Sequence, residues 1–466
     1  MLSYLNRVDW EKDLHLFSFK ELHILLDVNS GAVHVLDEVS KDVLKSVASN
    51  GGDAQKTLEE LAGAYPAQSV LEVLEELESL RQAGALFTRD EPEDPWSDSR
   101  QPLLKSLCLH VAHDCNMRCR YCFGGTGEFG GARALMDLEV GKRSLDFLLE
   151  HSGRRPSCEV DFFGGEPLIN FPVVRELVLY GEEAAGRLGK KINFTITTNG
   201  VLLNEEIESF LNEHRISVVL SIDGRPEIND LMRPLAGGQG SYRRIVPRFL
   251  RLVRSRADQD YYLRGTYTRY NLDFSADVRH MADLGFTYLS VEPVVASPQE
   301  DYALREADLP LLFQEYEKLV DLFLERKNAG RPFQFFHFHL ELEQGLCLPK
   351  RLTGCGAGFE YLAVTPEGDL YPCHQFVGRK AYRLGDVWQG LTQRELSLTF
   401  QRAHIYSKEE CRRCWARFYC SGGCHANAEF FHGTIFKPYD LGCQLQKKRL
   451  ECALYLQVKN LLENKG

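Results

Sequence analysis

Three cysteines with short spacing, Cys115, Cys119 and Cys122 (the cysteine triad), stand in the segment HDCNMRCRYCF. An iron–sulfur cube needs four ligands, so a cube held by these three thiolates keeps one iron open for a substrate or cofactor. Such an iron is a place for chemistry as well as for electron storage. Two simpler arrangements also fit the spacing: a zinc site completed by His113, and three buried thiols without a metal.

A second motif, Gly164-Gly165-Glu166-Pro167, follows a β-rich run over 158–163. Two glycines at the end of a strand let a cofactor approach the backbone closely, and exposed sheet-edge groups together with a carboxylate can hold an ammonium. Taken alone, such a run is usually only a turn. Because it follows the cysteine triad, it indicates a cofactor site at the same end of a sheet.

The chain contains 14 cysteines, and only Cys158 lies outside the regions 108–122 and 347–452. In a reducing cytosol this crowding indicates metal binding rather than a disulfide framework. Seven cysteines of the last third have spacings that nearly suffice for two further four-thiolate cubes, with a zinc site at the C-x2-C pair as the alternative. These seven are Cys355, Cys373, Cys411, Cys414, Cys420, Cys424 and Cys443. Cys108, Cys158 and Cys452 lie in strand or helix patterns and are expected to be small buried hydrophobes.

Length and composition exclude several classes of protein. With 466 residues, 44% of them hydrophobic, the chain is long enough for about two or three domains. Its net charge of −11 argues against nucleic acid or anionic lipid as a general partner, since both require clustered positive charge. No uncharged apolar run is long enough to span a membrane, and segment 1–14 has charges where a signal peptide needs an apolar core. We therefore expect a cytoplasmic protein with no nucleic-acid or membrane partner.

Residues 1–88 predict a small winged-helix-like module. Alternating apolar residues flank the turn at 29–31, so a hairpin is expected there. Two amphipathic helices follow, with apolar faces within 39–47 and 70–80. The stretch 89–103 is acidic and contains several prolines, which is typical of a linker.

Short β-rich runs alternate with helical patterns over 104–330. Six such units predict an α/β fold whose parallel sheet curls into a partial (β/α)6 barrel, with ligands at the carboxyl ends of the strands. The motifs fall at those ends: the cysteine triad follows the first strand, the GGEP motif the second, Thr198 and Asn199 end the third, and Ser221 ends the fourth. Asp223 is expected to be a structural turn acid. The expected strands are 106–111, 158–163, 191–197, 217–222, 261–267 and 286–291.

The triad spacing, with the aromatic Tyr121 directly before the last cysteine and GGEP at the next strand end, resembles the radical S-adenosylmethionine (SAM) superfamily. There the amino and carboxylate groups of SAM chelate the open iron, and one electron splits SAM to give a 5′-deoxyadenosyl radical. The resemblance implies that GGEP binds the methionine amino group of SAM, and that Ser221 and Arg233 contact its ribose and carboxylate. The cofactor-binding residues are then Gly164, Gly165, Glu166, Pro167, Thr198, Asn199, Ser221, Arg233 and Tyr121.

The cysteine array of residues 331–466 resembles the SPASM extension of radical SAM enzymes that modify peptides and proteins. This resemblance implies two auxiliary [4Fe-4S] clusters besides the SAM-binding one, three in all. The distal set is Cys411, Cys414, Cys420 and Cys443, and the proximal set is Cys355, Cys373 and Cys424. The proximal set is then one thiolate short, and either Cys347 or a cysteine of the substrate peptide completes it.

The segments LLDVNSGAVHVLD, LCLHVAHDC, LTGCGAG and YPCHQF are similar to those of SCIFF-peptide maturases. These radical SAM enzymes install Cys-to-Thr thioether crosslinks in small cysteine-rich ribosomal peptides, and the similarity covers essentially the whole chain. It implies that residues 1–88 are a RiPP recognition element that binds the leader of a precursor peptide. It also implies a low-potential electron donor such as flavodoxin or ferredoxin. The alternatives are an anaerobic sulfatase-type maturase, which oxidises cysteine or serine to formylglycine, and an iron–sulfur electron-transfer protein.

One position departs from the sulfatase maturases. They have an aspartate base directly after the cysteine that corresponds to Cys373, whereas this chain has His374. A histidine can take a proton near neutral pH, and it can equally donate a hydrogen bond to cluster sulfide. The change argues against formylglycine formation and makes His374 the candidate catalytic residue.

Overall fold

The computed structural model describes residues 8–90, 103–257, 259–340 and 352–465. Cys347 and almost all of the expected linker 89–103 lie outside these residues. No helix within the described ranges is both long and apolar enough to cross a lipid bilayer.

The N-terminal module is a three-stranded antiparallel sheet with helices. Its elements are α1 (Trp10–Asp13), β1 (Leu14–Phe19), β2 (Leu22–Asp27), β3 (Val33–Leu36), α2 (Glu38–Ser49), α3 (Ala54–Leu61) and α4 (Ala67–Gln82). The predicted hairpin is β2 with β3, and an unpredicted strand, β1, pairs with the other side of β2. Three helices follow the hairpin instead of two, because Asp53 caps α3 by accepting hydrogen bonds from the amides of Gln55 and Lys56.

Six parallel strands, paired in chain order, form the central sheet. They are β4 (Ser106–Ala112), β5 (Ser157–Gly164), β6 (Lys191–Thr198), β7 (Ser217–Ser221), β8 (Tyr261–Tyr267) and β9 (Tyr288–Pro293), and each agrees with its predicted bounds to within two residues. The connecting helices are α5 (Leu138–His151), α6 (Phe171–Arg187), α7 (Glu205–Glu213), α8 (Pro226–Met232), α9 (Tyr242–Ser255), α10 (Phe274–Asp283) and α11 (Leu309–Asn328). The predicted α/β fold with a partial barrel is confirmed.

The barrel strands bury one face more deeply than the other. In β5, Cys158, Val160 and Phe162 are fully buried, whereas Asp161 and Phe163 are partly exposed. Because successive side chains of a strand point to opposite faces, the partly exposed ones share the concave side, away from the helices. That side is therefore open to a substrate.

The C-terminal region continues the same sheet, which was not predicted. At one edge lies β10 (Gln334–Phe335), which pairs with β9, and at the other edge β11 (Tyr361–Val364) pairs in parallel with β4. The remaining elements are β12 (Asp369–Tyr371), β13 (Gly385–Asp386), β14 (Gly390–Leu391), α12 (Arg394–Arg402), α13 (Glu409–Arg412), α14 (Arg417–Cys420), α15 (His425–His432) and α16 (Asp440–Lys465). The segment that carries Cys355 and Cys373 is thereby attached to the first barrel strand.

The N-terminal module packs against the C-terminal region through a buried arginine. Arg417, at the start of α14, donates hydrogen bonds to the carbonyls of Lys12 and Cys414, at 2.8 Å and 3.2 Å. It also donates to the side chain of Asn29 in the turn of the hairpin. Leu26 of β2 belongs to the same hydrophobic core as residues around the distal set. The turn of the hairpin is therefore an internal contact of the protein.

Candidate functional site

The cysteine triad follows β4 and the GGEP motif follows β5, so both lie at the carboxyl end of the barrel. Their backbones are hydrogen-bonded: the Gly165 amide donates to the Ala112 carbonyl at 2.8 Å, and the Glu166 amide to the Asp114 carbonyl at 2.9 Å. From the other side, amides of the triad loop donate to carbonyls within 232–234. The loop is thus held in place from two sides by backbone contacts.

Both glycines of the motif are required by this close approach. A Cβ on Gly164 would lie 2.2 Å from the carbonyl oxygen of Ala112, and one on Gly165 would lie 2.2 Å from that of Asp114. Gly164 also has a φ of +125°, which side-chain-bearing residues rarely adopt. In the sequence, the two glycines indicate room for a cofactor close to the backbone. In the structure, the backbone at Ala112 and Asp114 approaches the glycines this closely.

We expect Gly165→Ala to displace the triad loop from the GGEP motif. Because the added methyl group would meet backbone atoms, we expect a loss of stability of about 1–3 kcal/mol, measured as a lower thermal midpoint with lower iron content after reconstitution. Gly186→Ala is the matched control, since nothing lies within 4 Å of a Cβ there and alanine stabilises a helix by up to about 1 kcal/mol relative to glycine. Equal thermal midpoints for the two variants would contradict this account.

Glu166 is fully buried, and its carboxylate is occupied by the protein. Thr198 Oγ1 donates to it at 2.7 Å and the Asn199 amide at 2.8 Å, while the Asn199 side chain donates to Asn116 of the triad loop at 2.8 Å. Burial raises the pKa of Glu166 to about 7. Pro167, next in the chain, is also buried. The carboxylate therefore ties the end of β6 to the motif, and its predicted role as a ligand for an ammonium stays a prediction.

A second buried network lies beside the triad. The Tyr121 hydroxyl donates to the Asp223 carboxylate at 2.6 Å, and Arg233 Nη1 donates to the Tyr121 oxygen at 2.9 Å. Burial raises the pKa of Cys119 to about 11, against the lowering effect of the Arg233 charge, so the guanidinium lies near the triad. Asp223 is fully buried and acts as a structural acid, as predicted. Ser221 ends β7 and is partly exposed.

The thiols of the triad lie close enough to act on one another. Burial raises the pKa of Cys115 to about 12, and the charges of Glu166, Cys119 and Cys122 add to the effect. Desolvation also raises the pKa values of Cys119 and Cys122, and thiols with raised pKa values stay protonated unless a cation stabilises their thiolates. An iron–sulfur cluster supplies that cation, so the donor set fits a cluster held by three cysteines.

Among the described residues, no three His, Cys, Asp or Glu side chains gather closely enough for a single metal ion. His113, the suggested fourth zinc ligand, lies instead 3.1 Å from the imidazole of the buried His110.

The C-terminal cysteines form two groups by their mutual electrostatic effects. Burial raises the pKa of Cys373, and the charges of Cys424 and Cys355 raise it further. Burial likewise raises the pKa of Cys443 to about 12, and the members of its group add to the effect. That group is Cys443 with Cys420, Cys411 and Cys414. The structure thus brings together the residues of the predicted proximal and distal sets, while their role as cluster ligands stays a prediction.

Aromatic rings lie between the triad and the proximal set. Phe123 directly follows Cys122 and is 54% exposed, although its size favours burial. Its ring centroid is 5.5 Å from that of His374 and 6.4 Å from that of Phe163. Since His374 directly follows Cys373, a row of neighbouring rings links the segments of the two cysteine groups.

His374 is held in this row of rings by a tyrosine. The Tyr361 hydroxyl lies 3.1 Å from Nδ1 of His374 and also hydrogen-bonds the buried thiol of Cys108. Burial lowers the pKa of His374 to about 4, and the charge of Arg264 lowers it further. The imidazole is therefore neutral near pH 7.

Sequence reasoning missed Phe163 and Tyr361. The alternation in β5, together with the motif that ends the strand, was a usable signal for Phe163. Tyr361 gave no local signal, because its position depends on the pairing of β11 with the distant β4.

Two protein families match parts of the chain. Residues 106–247, which include the triad and the GGEP motif, match a family described as a 4Fe-4S single cluster domain. Residues 355–415 match SPASM, described as an iron-sulfur cluster-binding domain.

Several proteins are similar in sequence. An uncharacterised protein of Methanocaldococcus jannaschii is 35% identical over 138 residues, which are 30% of this chain and 45% of that protein. A cysteine-type anaerobic sulfatase-maturating enzyme of Clostridium perfringens is 26% identical over 69% of this chain and 89% of its own length. The mycofactocin maturase MftC of Mycobacterium ulcerans is 29% identical over 72% of this chain and 87% of its own length.

The fold also has a solved counterpart. The structure described as native anSMEcpe with bound AdoMet superposes with a TM-score of 0.64 at 24% sequence identity, covering 78% of this chain and 100% of that one. At this identity the likeness establishes the fold alone.

Proposed function

We propose that this chain, a radical SAM maturase with a SPASM domain, forms Cys-to-Thr thioether crosslinks in a small cysteine-rich precursor peptide of the SCIFF type. The observation that carries the proposal is the row of neighbouring rings Phe123, Phe163 and His374, which links the end of the cysteine triad to Cys373 of the proximal set. A peptide carbon activated at the triad then has a sulfur-binding centre opposite it. Three thiolates leave one ligand position for the sulfur of the peptide, unless Cys347 fills it.

The chain's own residues supply the binding and orientation. When bound at the triad, SAM and a reduced [4Fe-4S] cluster supply a radical that can take a hydrogen atom from a peptide carbon. We assign the methionine amino group to the backbone of the GGEP motif, because the Glu166 carboxylate is already hydrogen-bonded within the protein. Arg233 and Ser221 are assigned to the carboxylate and ribose of SAM, and the C-terminal sets to two auxiliary clusters.

Each crosslink removes two hydrogens from the peptide. One leaves the threonine α-carbon as a hydrogen atom, and the other leaves the cysteine thiol as a proton. The electron left over when the C–S bond forms passes to the auxiliary sites. The His374 ring neighbours that of Phe123, and its position suits either a base for the thiol or a hydrogen-bond partner of the proximal site.

Formylglycine formation is the second candidate function. It is favoured by the similarity to proteins named sulfatase-maturating enzymes. Formylglycine formation does not require a leader-binding module. In addition, this chain has His374 where the sulfatase maturases have an aspartate base. We therefore rank it below thioether formation.

Mass spectrometry of a co-expressed cysteine-rich precursor peptide separates these functions. Thioether formation predicts the loss of two hydrogens for each crosslink, localised between a cysteine and a threonine by fragmentation. An aldehyde at a single cysteine or serine would establish formylglycine formation instead. Unmodified peptide, together with active SAM cleavage, would overturn the choice of substrate.

The leader of the peptide is assigned to β3, the outer strand of the N-terminal sheet. Among the described residues β3 pairs with β2 on one side and with no strand on the other. Such an edge accepts an extended peptide as an additional strand. Val35, in the middle of β3, is 45% exposed and offers an apolar contact to it.

We expect Val35→Glu to weaken leader binding by about tenfold, or about 1.4 kcal/mol, because a charge on the edge opposes strand addition. Fluorescence anisotropy with a labelled leader measures the affinity. The matched control is Leu188→Glu, which places the same charge at a site that is 58% exposed and outside the module. If both variants bind the leader like the unmodified protein, the edge of β3 is not the leader site.

We propose a low-potential donor such as flavodoxin or ferredoxin as the source of electrons. We also propose that the protein is located in the cytoplasm. Both follow from iron–sulfur chemistry, which needs a reducing compartment.

A further inference from the structure

A lysine lies buried between the proximal and distal sets. Lys408 is 0% exposed. Its Nζ donates to the Gly422 carbonyl at 2.7 Å and lies 3.4 Å from Nδ1 of His425. Gly422 stands between Cys420 of the distal set and Cys424 of the proximal set. The ammonium group is therefore bound to the short loop that connects the two sets.

This ammonium group has no carboxylate partner among the described residues. The groups that act on it are thiols: burial lowers the pKa of Lys408, and the charges of four cysteines raise it. Those cysteines are Cys411, Cys420, Cys424 and Cys443. A buried cation without a counter-charge is strongly destabilising. Lys408 is thus compatible with its site when the surrounding thiols are thiolates.

We propose that Lys408 is a positioning residue that fixes one positive charge between the two auxiliary sites, and that this charge raises the reduction potential of the clusters there. The inference rests on the proposed function, since both sets must carry clusters. The charge of Lys408 matters for the electron that remains after C–S bond formation, because the auxiliary sites must accept that electron.

The direction of the shift in reduction potential follows from the change in cluster charge. An iron–sulfur cluster gains one negative charge on reduction, and its potential depends on the charges and hydrogen bonds around it. A nearby cation stabilises the reduced form more than the oxidised form. Loss of the cation therefore makes reduction less favourable, and the midpoint potential falls.

The test is an EPR-monitored redox titration of the reconstituted full-length enzyme. Lys408→Gln keeps a donor for the Gly422 carbonyl but removes the charge, and Lys408→Met removes both. We expect both variants to lower the equilibrium constant for reduction of an auxiliary cluster at least tenfold, which is about 59 mV for one electron. Lys408→Arg should restore most of the potential, because it keeps the charge.

Lys437→Met is the matched control, since it removes the charge of an exposed lysine in the same region. An unchanged potential in Lys408→Gln, with normal iron content, would overturn the inference, as would an equal shift in Lys437→Met. If Lys408→Met fails to fold, the comparison of Lys408→Gln with Lys408→Arg still tests the effect of the charge on the reduction potential. Absence of auxiliary clusters from the unmodified enzyme would be a failure of the proposed function, which the iron content reveals separately.

Discussion

The variant in which Cys115, Cys119 and Cys122 are all alanine is expected to make no 5′-deoxyadenosine. The triad is the assigned ligand set of the SAM-cleaving cluster, and without thiolates the open iron is lost. We expect the rate of SAM cleavage to fall at least about a thousandfold, or about 4 kcal/mol in the activation free energy. Anaerobic reconstitution followed by chromatography of the products measures the effect.

The auxiliary iron should remain in this triple variant, because the proximal and distal sets lie in separate segments of the chain. Iron analysis tests that point. Cys158→Ala, which removes a fully buried cysteine of β5 outside the three sets, is the control and should cleave SAM normally. Undiminished SAM cleavage by the triple variant would refute the assignment of the triad.

Cys373→Ala is expected to separate SAM cleavage from crosslinking. The variant loses a ligand of the proximal set but retains the triad, so 5′-deoxyadenosine should still form. The fraction of peptide that has lost two hydrogens should fall at least about a hundredfold, or about 2.7 kcal/mol, because the sulfur has no site opposite the activated carbon. The same co-expressed peptide provides the measurement by mass.

Two further variants sharpen this result. Cys452→Ala is the control, since Cys452 is fully buried in α16 and belongs to neither auxiliary set. Cys347→Ala distinguishes a proximal site closed by the protein from one closed by the peptide: normal iron content and full crosslinking would mean that Cys347 is not a ligand. If crosslinking survives loss of the whole proximal set, that set does not deliver the sulfur, and a base such as His374 must activate the thiol.

The barrel could be predicted because its signals are local. Each of its strands is a short apolar run followed by a turn motif, and β8 was placed at its observed bounds, 261–267. The grouping of the C-terminal cysteines came from a resemblance, and the structure brings the same residues together. The closeness of these cysteines is not encoded locally in the sequence, because Cys355 and Cys424 come near each other only through the fold.

The contacts that hold the site together could not be predicted. The pairing of β11 with β4 joins residues far apart in the chain, and such pairing has no signature in either segment. The hydrogen bonds of Glu166 to the end of β6 also could not be predicted, since a carboxylate after two glycines looks the same in the sequence whether or not it contacts β6. These contacts depend on burial, and burial is a property of the whole fold.

Under the proposed function, the contact of Arg417 with the N-terminal module limits how the substrate range can be engineered. A replacement module would have to present a carbonyl and a side-chain acceptor where Lys12 and Asn29 now accept hydrogen bonds. Without them, the buried guanidinium would keep its hydrogen bond to the Cys414 carbonyl but lose the two acceptors in the module, at a cost of about 1–3 kcal/mol each. Substitutions in β3, the edge proposed to bind the leader, leave this contact intact. Reprogramming should therefore proceed by redesign of the strand surface, with the body of the module kept in place.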